Sequence, residues 1–180
     1  NLIKNKNFLN SIISNVTNIL ILMKRKKFNS VILNYDETAE NFLKWYQQLV
    51  AESLGKKGKG IFPIISTMPK DNHSLMQLYL DGKKENFYTF FYTSNKFPLK
   101  IKSKIIPKSQ KFLSNKYLDE IVISQIFATQ KVFKKKNIPF RSFSIKNRSE
   151  ETLGELFSFF ILETILLAKA MKVNPYDQPA

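Results

Sequence analysis

The segment "WYQQLVAESLGKKGKGIFPI", residues 45–64, places a carboxylate where an amphipathic helix should end. Glu52 there meets the negative end of the helix dipole, which disfavours the charged carboxylate by up to about 1 kcal/mol. A carboxylate held in this way is a better proton acceptor, as a general base must be. Gln48 lies one helical turn earlier on the same face and is predicted to be its neighbour. The alternative is an exposed Glu52 that forms a weak surface ion pair with Lys56 or Lys57.

The loop "GKKGKG" after this helix invites comparison with a phosphate-binding P-loop. The spacing does not fit, because Gly55 is three residues before Gly58 and Gly60 stands where Ser or Thr is needed. The glycines are instead predicted to permit tight backbone turns close to a ligand or to another loop.

His73 is the only histidine of the chain, and the text "KDNHSLMQLYLDG" places it in the first turn of a short helix. The helix dipole there disfavours the imidazolium, and a neutral ring can relay protons. The alternative is a capping or surface histidine. With one histidine and no cysteine, no histidine-rich zinc site, thiolate site or disulfide is predicted.

Helical and strand patterns alternate along the chain. The runs "VILNY", "IFPIIS", "ENFYTFFYTS" and "FRSFSI" are predicted strands, and helices are predicted over about residues 7–23, 37–54, 72–80, 117–136 and 150–172. Asp36, Asp71 or Asn72, and Ser149 are the candidate N-caps. This order predicts an α/β fold, a doubly wound, mainly parallel sheet flanked by helices. Glu163, within the apolar pattern of the last helix, needs a partner that the sequence does not identify.

In doubly wound sheets, ligands bind outside the carboxyl ends of the strands. The loops after "VILNY" and "IFPIIS" are therefore the places where a site is expected. The first loop leads to Glu52 by way of a helix, and the second leads directly to His73. Both side chains are accordingly predicted near the carboxyl ends of the strands.

The net charge of +15 raises the question of nucleic acid or an anionic membrane as a partner. Lysine far exceeds arginine and no base-reading motif accompanies it, so a biased composition is the preferred explanation. The most apolar stretches are too short to span a bilayer, and the start has no cleavable signal pattern. Neither a nucleic-acid nor a membrane partner is predicted, and the absence of cysteine fits the cytoplasm.

Three stretches in this order, "WYQQLVAESLGKKGKG", "DNHSLMQLYLDG" and "NPYDQPA", resemble the glucose-6-phosphate isomerase family. The similarity extends over about residues 35–180 and includes "TLGELFSFF". It implies two sugar-isomerase (SIS-type) domains, of which residues 1–180 form the second, incomplete at both ends. The first domain and a C-terminal tail would lie outside this sequence.

The resemblance also implies roles in the reversible isomerisation of glucose 6-phosphate to fructose 6-phosphate. Glu52 matches the catalytic base that moves a proton between C1 and C2 through a cis-enediol. His73 matches the histidine that assists ring opening, reaching into the neighbouring subunit of a homodimer. Gln48 matches a glutamine that contacts the phosphorylated hexose. The family needs no metal or other cofactor.

Two departures from the family pattern stand out. Asn72 replaces the usual glutamine before the histidine, and the motif "NPYDQPA" should continue to a catalytic lysine. An arginine and a Ser/Thr phosphate cradle belong to the other domain. The 180-residue chain alone is therefore expected to be inactive. A non-catalytic, phosphosugar-binding regulatory module is the alternative, although a sensor would not need both Glu52 and His73.

Overall fold

The computed structural model describes residues 2–94 and 99–179. The helices are α1 (Lys6–Lys24), α2 (Glu40–Leu54), α3 (Asp71–Ser74), α4 (Met76–Asp81), α5 (Leu118–Lys135) and α6 (Glu150–Met171). The strands are β1 (Asn29–Asn34), β2 (Phe62–Thr67), β3 (Asn86–Thr93) and β4 (Phe140–Ile145). Short 3-10 segments occur at Leu2–Lys4, Glu37–Ala39, Ser103–Ile105 and Lys108–Leu113.

The four strands form one parallel sheet in the order β2-β1-β3-β4. β1 lies at the centre, with Ile32 opposite Ile65 of β2 on one side and Thr89 of β3 on the other. Residues 30–34 of β1 are all buried, as expected for a parallel strand covered on both faces. The predicted parallel sheet is thus confirmed.

Helices cover both faces of the sheet. On one face, α1, α2 and α6 pack against strand residues such as Ile32 and Phe91. On the other face, α4 and α5 pack against Val31, Leu33 and Phe90. Alternate residues of β1 therefore enter different cores, and the predicted doubly wound α/β fold is confirmed.

Local signals fix the ends of two helices that matter for the site. Ser149 caps α6 as predicted, because its hydroxyl accepts a hydrogen bond from the Thr152 amide at 3.2 Å. α2 ends at Leu54, and a Cβ on Gly55 would come within 2.6 Å of the Ala51 carbonyl oxygen. The predicted stop at Gly55 is confirmed, and its reason is close backbone approach.

The helical segment after β2 differs from its prediction. Two short helices, α3 and α4, meet at Leu75 instead of forming one helix. Asp71 lies inside the first turn of α3, and its Oδ2 atom accepts hydrogen bonds from the Thr67 amide and the Ser66 hydroxyl at 2.8 Å each. The carboxylate that was expected to cap the helix thus binds the end of β2 instead.

Glu163 finds its partner in Arg141, a residue of β4. Two guanidinium nitrogens donate to the two carboxylate oxygens, and the Nη2–Oε2 distance is 3.1 Å. Arg141 also donates to Thr89 of β3 at 3.0 Å and to Asn15 of α1 at 3.1 Å. Since the Glu163 side chain is only 2% exposed, this ion pair ties two strands and two helices together inside the core.

Candidate active site

Glu52 lies exposed in the last turn of α2, between two glutamine side chains. Gln48 donates from Nε2 to Oε1 of Glu52 at 2.9 Å. Gln178 donates from Nε2 to the other oxygen, Oε2, at 2.8 Å. The predicted proximity of Gln48 is confirmed, and two amide donors orient a carboxylate that remains open to solvent.

The lysine-rich loop binds the C-terminal segment, residues 172–179. Lys56 is 7% exposed, and its Nζ atom lies 2.6 Å from the Asn174 carbonyl oxygen and 3.0 Å from Oδ1 of Asp177. The hydrogen bond from Lys56 lowers the pKa of Asp177. Lys59 donates to the Met171 carbonyl oxygen at 2.7 Å. These contacts bring the segment carrying Gln178 against Glu52.

The alternative of a simple surface ion pair is not what the structure shows. Lys56 pairs with Asp177, and neither Lys56 nor Lys57 forms an ion pair with Glu52 among the residues described. The loop needs its glycines, because Gly58 and Gly60 have φ values of 67° and 144°. The prediction that these glycines permit tight turns is confirmed.

The two predicted catalytic residues lie at opposite edges of the sheet. The amino edge is the row of strand starts, and the carboxyl edge is the row of strand ends. α2 starts after the carboxyl end of β1 and runs back, so Glu52 lies near the amino end of β2, which begins at Phe62. His73 follows Thr67, the last residue of β2, at the carboxyl end. The 6 residues of β2 separate these edges by roughly 20 Å.

The prediction that Glu52 lies near the carboxyl ends of the strands is therefore wrong. The physical reason is the length of α2, whose 15 residues span about 22 Å, the full depth of the sheet. A helix that leaves one edge of the sheet and crosses it entirely delivers its last turn to the other edge. Glu52 and His73 of one chain consequently do not share a site.

His73 is exposed in α3 at the carboxyl edge. Within the described residues, no hydrogen bond engages its ring; the neighbouring Ser74 hydroxyl donates to Oδ1 of Asp71 at 3.0 Å. Asn72, the departure from the family pattern, has its side-chain oxygen buried without a hydrogen-bond partner in this part of the chain. The imidazole is thus presented outward from its own chain.

A second polar cluster, not foreseen in the sequence, lies where β1 and β3 end. Asp36 accepts hydrogen bonds from Arg148 Nη2 at 2.9 Å and Nε at 3.1 Å, and from Thr38 and Thr93. A cavity of about 290 Å³ borders it, between these strand ends and the start of α6. Burial opposes the negative charge, but the hydrogen bonds from Arg148, Thr93 and Thr38 outweigh it and lower the pKa of Asp36.

Two further features concern other kinds of site. Across residues 2–94 and 99–179, no group of three or more His, Cys, Asp or Glu side chains is placed to hold a metal ion. Over the same ranges, no helix has the length and apolar character needed to cross a membrane.

Comparison with curated proteins shows extensive sequence similarity. The chain is 34% identical over 179 residues to glucose-6-phosphate isomerase from Methanocaldococcus jannaschii, a match that covers 99% of this chain and 43% of that protein. It is 36% identical over 162 residues to glucose-6-phosphate isomerase from Mycoplasmopsis synoviae, covering 88% and 38% respectively. The chain thus spans about two fifths of the length of these relatives. No protein-family model matches it.

Solved structures share the fold. A hypothetical protein from Thermus thermophilus superposes with a TM-score of 0.82 at 22% identity, over 91% of this chain and 41% of that one. A glucose-6-phosphate isomerase from Chlamydia trachomatis superposes with a TM-score of 0.66 at 16% identity, over 84% and 32%. At these identities the superpositions establish the α/β architecture.

Proposed function

We propose that this chain, which is homologous to the glucose-6-phosphate isomerases, is the second sugar-isomerase domain of an enzyme that interconverts glucose 6-phosphate and fructose 6-phosphate. The observation that carries the proposal is the exposed carboxylate of Glu52, held between the amides of Gln48 and Gln178. Sequence similarity over 99% of the chain supports the same reaction class.

In this proposal Glu52 is the general base. It takes the proton from C2 of the open-chain aldose while O1 gains a proton, which gives a cis-enediol. O2 then loses its proton as Glu52 returns its proton to C1, which gives the ketose. Each carboxylate oxygen accepts one amide hydrogen bond, which orients the group while leaving further lone-pair positions for the substrate. A positioned base of this kind typically contributes on the order of a hundred- to ten-thousand-fold to the rate.

The two glutamines have different proposed roles. Gln48 contacts the phosphorylated hexose as well as Glu52, as its match to the family motif implies. Gln178 is a positioning residue, because its amide fixes the carboxylate and its own segment is held by Lys56 through Asp177 and Asn174. The lysine-rich loop thereby holds Gln178 beside Glu52, and among the described residues Lys56 forms no ion pair with Glu52 itself.

His73 is proposed to assist ring opening in the site of a neighbouring subunit of a homodimer. The placement of Glu52 and His73 at opposite edges of one sheet supports a role in trans, since within one chain the two residues cannot meet. The exposed position of His73 supports it as well.

The remaining parts of the active site are proposed to lie outside these 180 residues. They are the catalytic lysine beyond "NPYDQPA" and the arginine and phosphate cradle of a first domain. No cofactor is required in this scheme, and the cytoplasm is the proposed compartment. The chain alone should therefore show no isomerase turnover, which a coupled assay at high protein concentration would check.

Replacement of the base tests the proposal directly. In the complete enzyme, Glu52→Gln should lower kcat by at least about a hundredfold and leave substrate binding nearly unchanged, because the amide keeps the shape but cannot accept the C2 proton. Exchange of the C2 proton with solvent deuterium should fall in parallel. Glu155→Gln, at an exposed position of α6, is the matched control. Retention of most of the kcat in the Glu52 variant would place the base elsewhere.

A further inference from the structure

A small cavity opens at the amino edge of the sheet, where α4 leads into β3 and α5 leads into β4. Its volume is about 140 Å³, enough for a few water molecules or for one tetrahedral oxyanion. Its walls are formed by Lys27, Tyr79, Lys83, Lys84, Asn86, Tyr88, Lys136, Asn137, Ile138 and Pro139. Four of these ten residues are lysines, and none is acidic.

The four lysines differ in how their ammonium groups are engaged. Lys27 donates to the Lys84 carbonyl oxygen, and Lys84 donates to the Leu80 carbonyl oxygen at 2.7 Å. Lys83 and Lys136 make no side-chain hydrogen bond or ion pair with any described residue. Two cations are thus fixed at the cavity by backbone carbonyls, and two more carry donors available to a ligand.

Charge compensation from the protein is weak at this place. Asp81 and Glu85 are the nearest acids in sequence, but neither lines the cavity, and both are exposed. Burial, together with the positive charges of Lys84 and Arg25, lowers the pKa of Lys27. Among the residues that the structure describes, none of the four lysines forms an ion pair with an acidic side chain.

Helix dipoles explain part of this arrangement. α1, α4 and α5 all end near the cavity, and lysines near helix C-termini are stabilised by the exposed carbonyls. Lys84, bound to the Leu80 carbonyl, fits that account. It does not explain why Lys83 and Lys136, whose side chains bind no carbonyl of a described residue, line the same concave space.

We propose that this cavity is a binding site for a phosphate group, separate from the site at Glu52. The unengaged ammonium groups of Lys83 and Lys136 would bind the oxyanion, with Lys27 and Lys84 adding positive charge from fixed positions. Hydrogen-bonded ammonium–phosphate contacts are strong, and a lysine contacts phosphate as a point charge without requiring a planar fork. The phosphate could be inorganic or the end of a phosphorylated sugar.

The test is calorimetric titration of the 180-residue chain with inorganic phosphate and, separately, with glucose 6-phosphate, at constant ionic strength. Saturable one-to-one binding of phosphate is expected. The double variant Lys83→Gln/Lys136→Gln should weaken it at least about tenfold. The control Lys134→Gln/Lys135→Gln removes the same amount of charge from the last turn of α5, directly before Lys136 but outside the cavity, and should change the dissociation constant less than about twofold.

Comparison of the two titrations distinguishes a site for inorganic phosphate from a site for a phosphorylated sugar. Equal affinity for the two ligands would assign the site to the phosphate group alone, and tighter glucose 6-phosphate binding that depends on Lys83 and Lys136 would assign it to a phosphosugar. Equal weakening by both double variants, or binding that never saturates, would overturn the proposal and leave only general electrostatic attraction. A short oligothymidylate tests for general binding of polyanions. The proposal would also be overturned if this oligonucleotide displaced phosphate and if the two double variants weakened its binding equally. None of these outcomes depends on isomerase activity.

Discussion

Three carboxylates of this chain, those of Asp36, Glu163 and Glu52, differ in their burial and in the side chains that bind them. Asp36 and Glu163 are 5% and 2% exposed, and arginine side chains engage both oxygens of each. Glu52 is exposed and is held by two neutral amides. Both oxygens of a buried carboxylate paired with a guanidinium are engaged inside the protein, whereas those of an exposed carboxylate held by two amides keep lone-pair positions open to a substrate. This contrast favours Glu52 as the chemical group and the other two as structural ones.

Asp36 should make the stability of the chain sensitive to acid. Its pKa is lower in the folded state than in the unfolded chain, so its contribution is fully present above the unfolded value of about 3.9. That contribution is lost as the pH falls through the lower, folded-state pKa. The free energy of unfolding, measured by urea denaturation between about pH 6 and about pH 2.5, should therefore decrease on acidification.

Asp36→Asn isolates this contribution. The variant should be less stable than the parent at about pH 6, and the difference should shrink as the pH falls. Asp81→Asn, at the exposed end of α4, serves as the matched control. A constant stability difference between parent and Asp36→Asn across the pH range would show that Asp36 does not titrate in this way.

At the residue scale, the sequence predicts side-chain contacts only between residues that are close along the chain. Gln48 could be paired with Glu52 because a spacing of one helical turn fixes their proximity. Gln178 lies 126 residues from Glu52, and Arg148 lies 112 residues from Asp36, so no local period connects either pair. Glu163 was recognised as needing a partner, but Arg141 could not be chosen from the 29 Lys and Arg residues without the strand order.

At the scale of elements, the loop between α2 and β2 connects the helix that carries Glu52 to the C-terminal segment. Lys56 crosses from this loop to Asn174 and Asp177, and Lys59 crosses to the end of α6. The lysines beside Glu52 therefore hold the segment that brings Gln178 to the carboxylate. Their positive charge is engaged in that contact and not with Glu52.

Lys56→Met should loosen the C-terminal segment while leaving the sheet intact. Methionine keeps most of the buried aliphatic contact but cannot donate to the Asn174 carbonyl. That hydrogen bond has a charged donor and contributes roughly 1.5 to 3 kcal/mol. The Asp177 ion pair adds little, because that carboxylate is half-exposed. Hydrogen exchange should accelerate for the amides of residues 173, 174 and 176–178, which flank Pro175, and stay unchanged in β1 and β3.

Lys57→Met provides the comparison, since Lys57 is exposed in the same loop and makes no ion pair among the described residues. It should leave exchange in the C-terminal segment unchanged. Equal acceleration in the two variants would mean that the loop's total charge, and not the Lys56 contact, retains the segment.

Sequence patterns predicted the elements well, but they predicted one position in the sheet wrongly. The long helices and the four strands follow from periodicity and end signals, which are local. The break at Leu75 was missed because Asp71 bonds to the end of β2, a tertiary contact that overrides its capping propensity. Predicting the edge of the sheet at which Glu52 lies requires a comparison of the length of α2 with the length of the strands. Identifying the loop that precedes α2 is not enough.

At the scale of the whole molecule, the amino and carboxyl edges of the sheet carry different polar side chains. The amino edge has Glu52, its two glutamines and the lysine-lined cavity, whereas the carboxyl edge has His73 and the Asp36–Arg148 pair. Parallel topology enforces this separation, because every helix that returns to start a new strand ends at the amino edge. A reaction that needs both Glu52 and His73 must therefore draw them from two chains.

Subunit mixing tests that requirement in the complete enzyme. Full-length Glu52→Gln and His73→Ala subunits, each inactive or nearly so as a homodimer, are combined and allowed to exchange. If His73 acts in the neighbouring subunit, one site of each heterodimer carries both substitutions and the other carries none. Activity should then recover to about half that of the wild type per heterodimer, as expected for two independent sites of an isologous dimer.

The opposite arrangement gives a different result in the same experiment. If His73 served its own chain, every site of the heterodimer would keep one substitution and activity would stay low. Differently tagged subunits allow the heterodimer to be purified, so that its amount is known before the assay, and a mixture of Glu52→Gln with Glu52→Gln/His73→Ala subunits gives the background. An inactive heterodimer would contradict the role of His73 in trans and, given the separation of the two residues within one chain, would also remove His73 from the chemistry at Glu52.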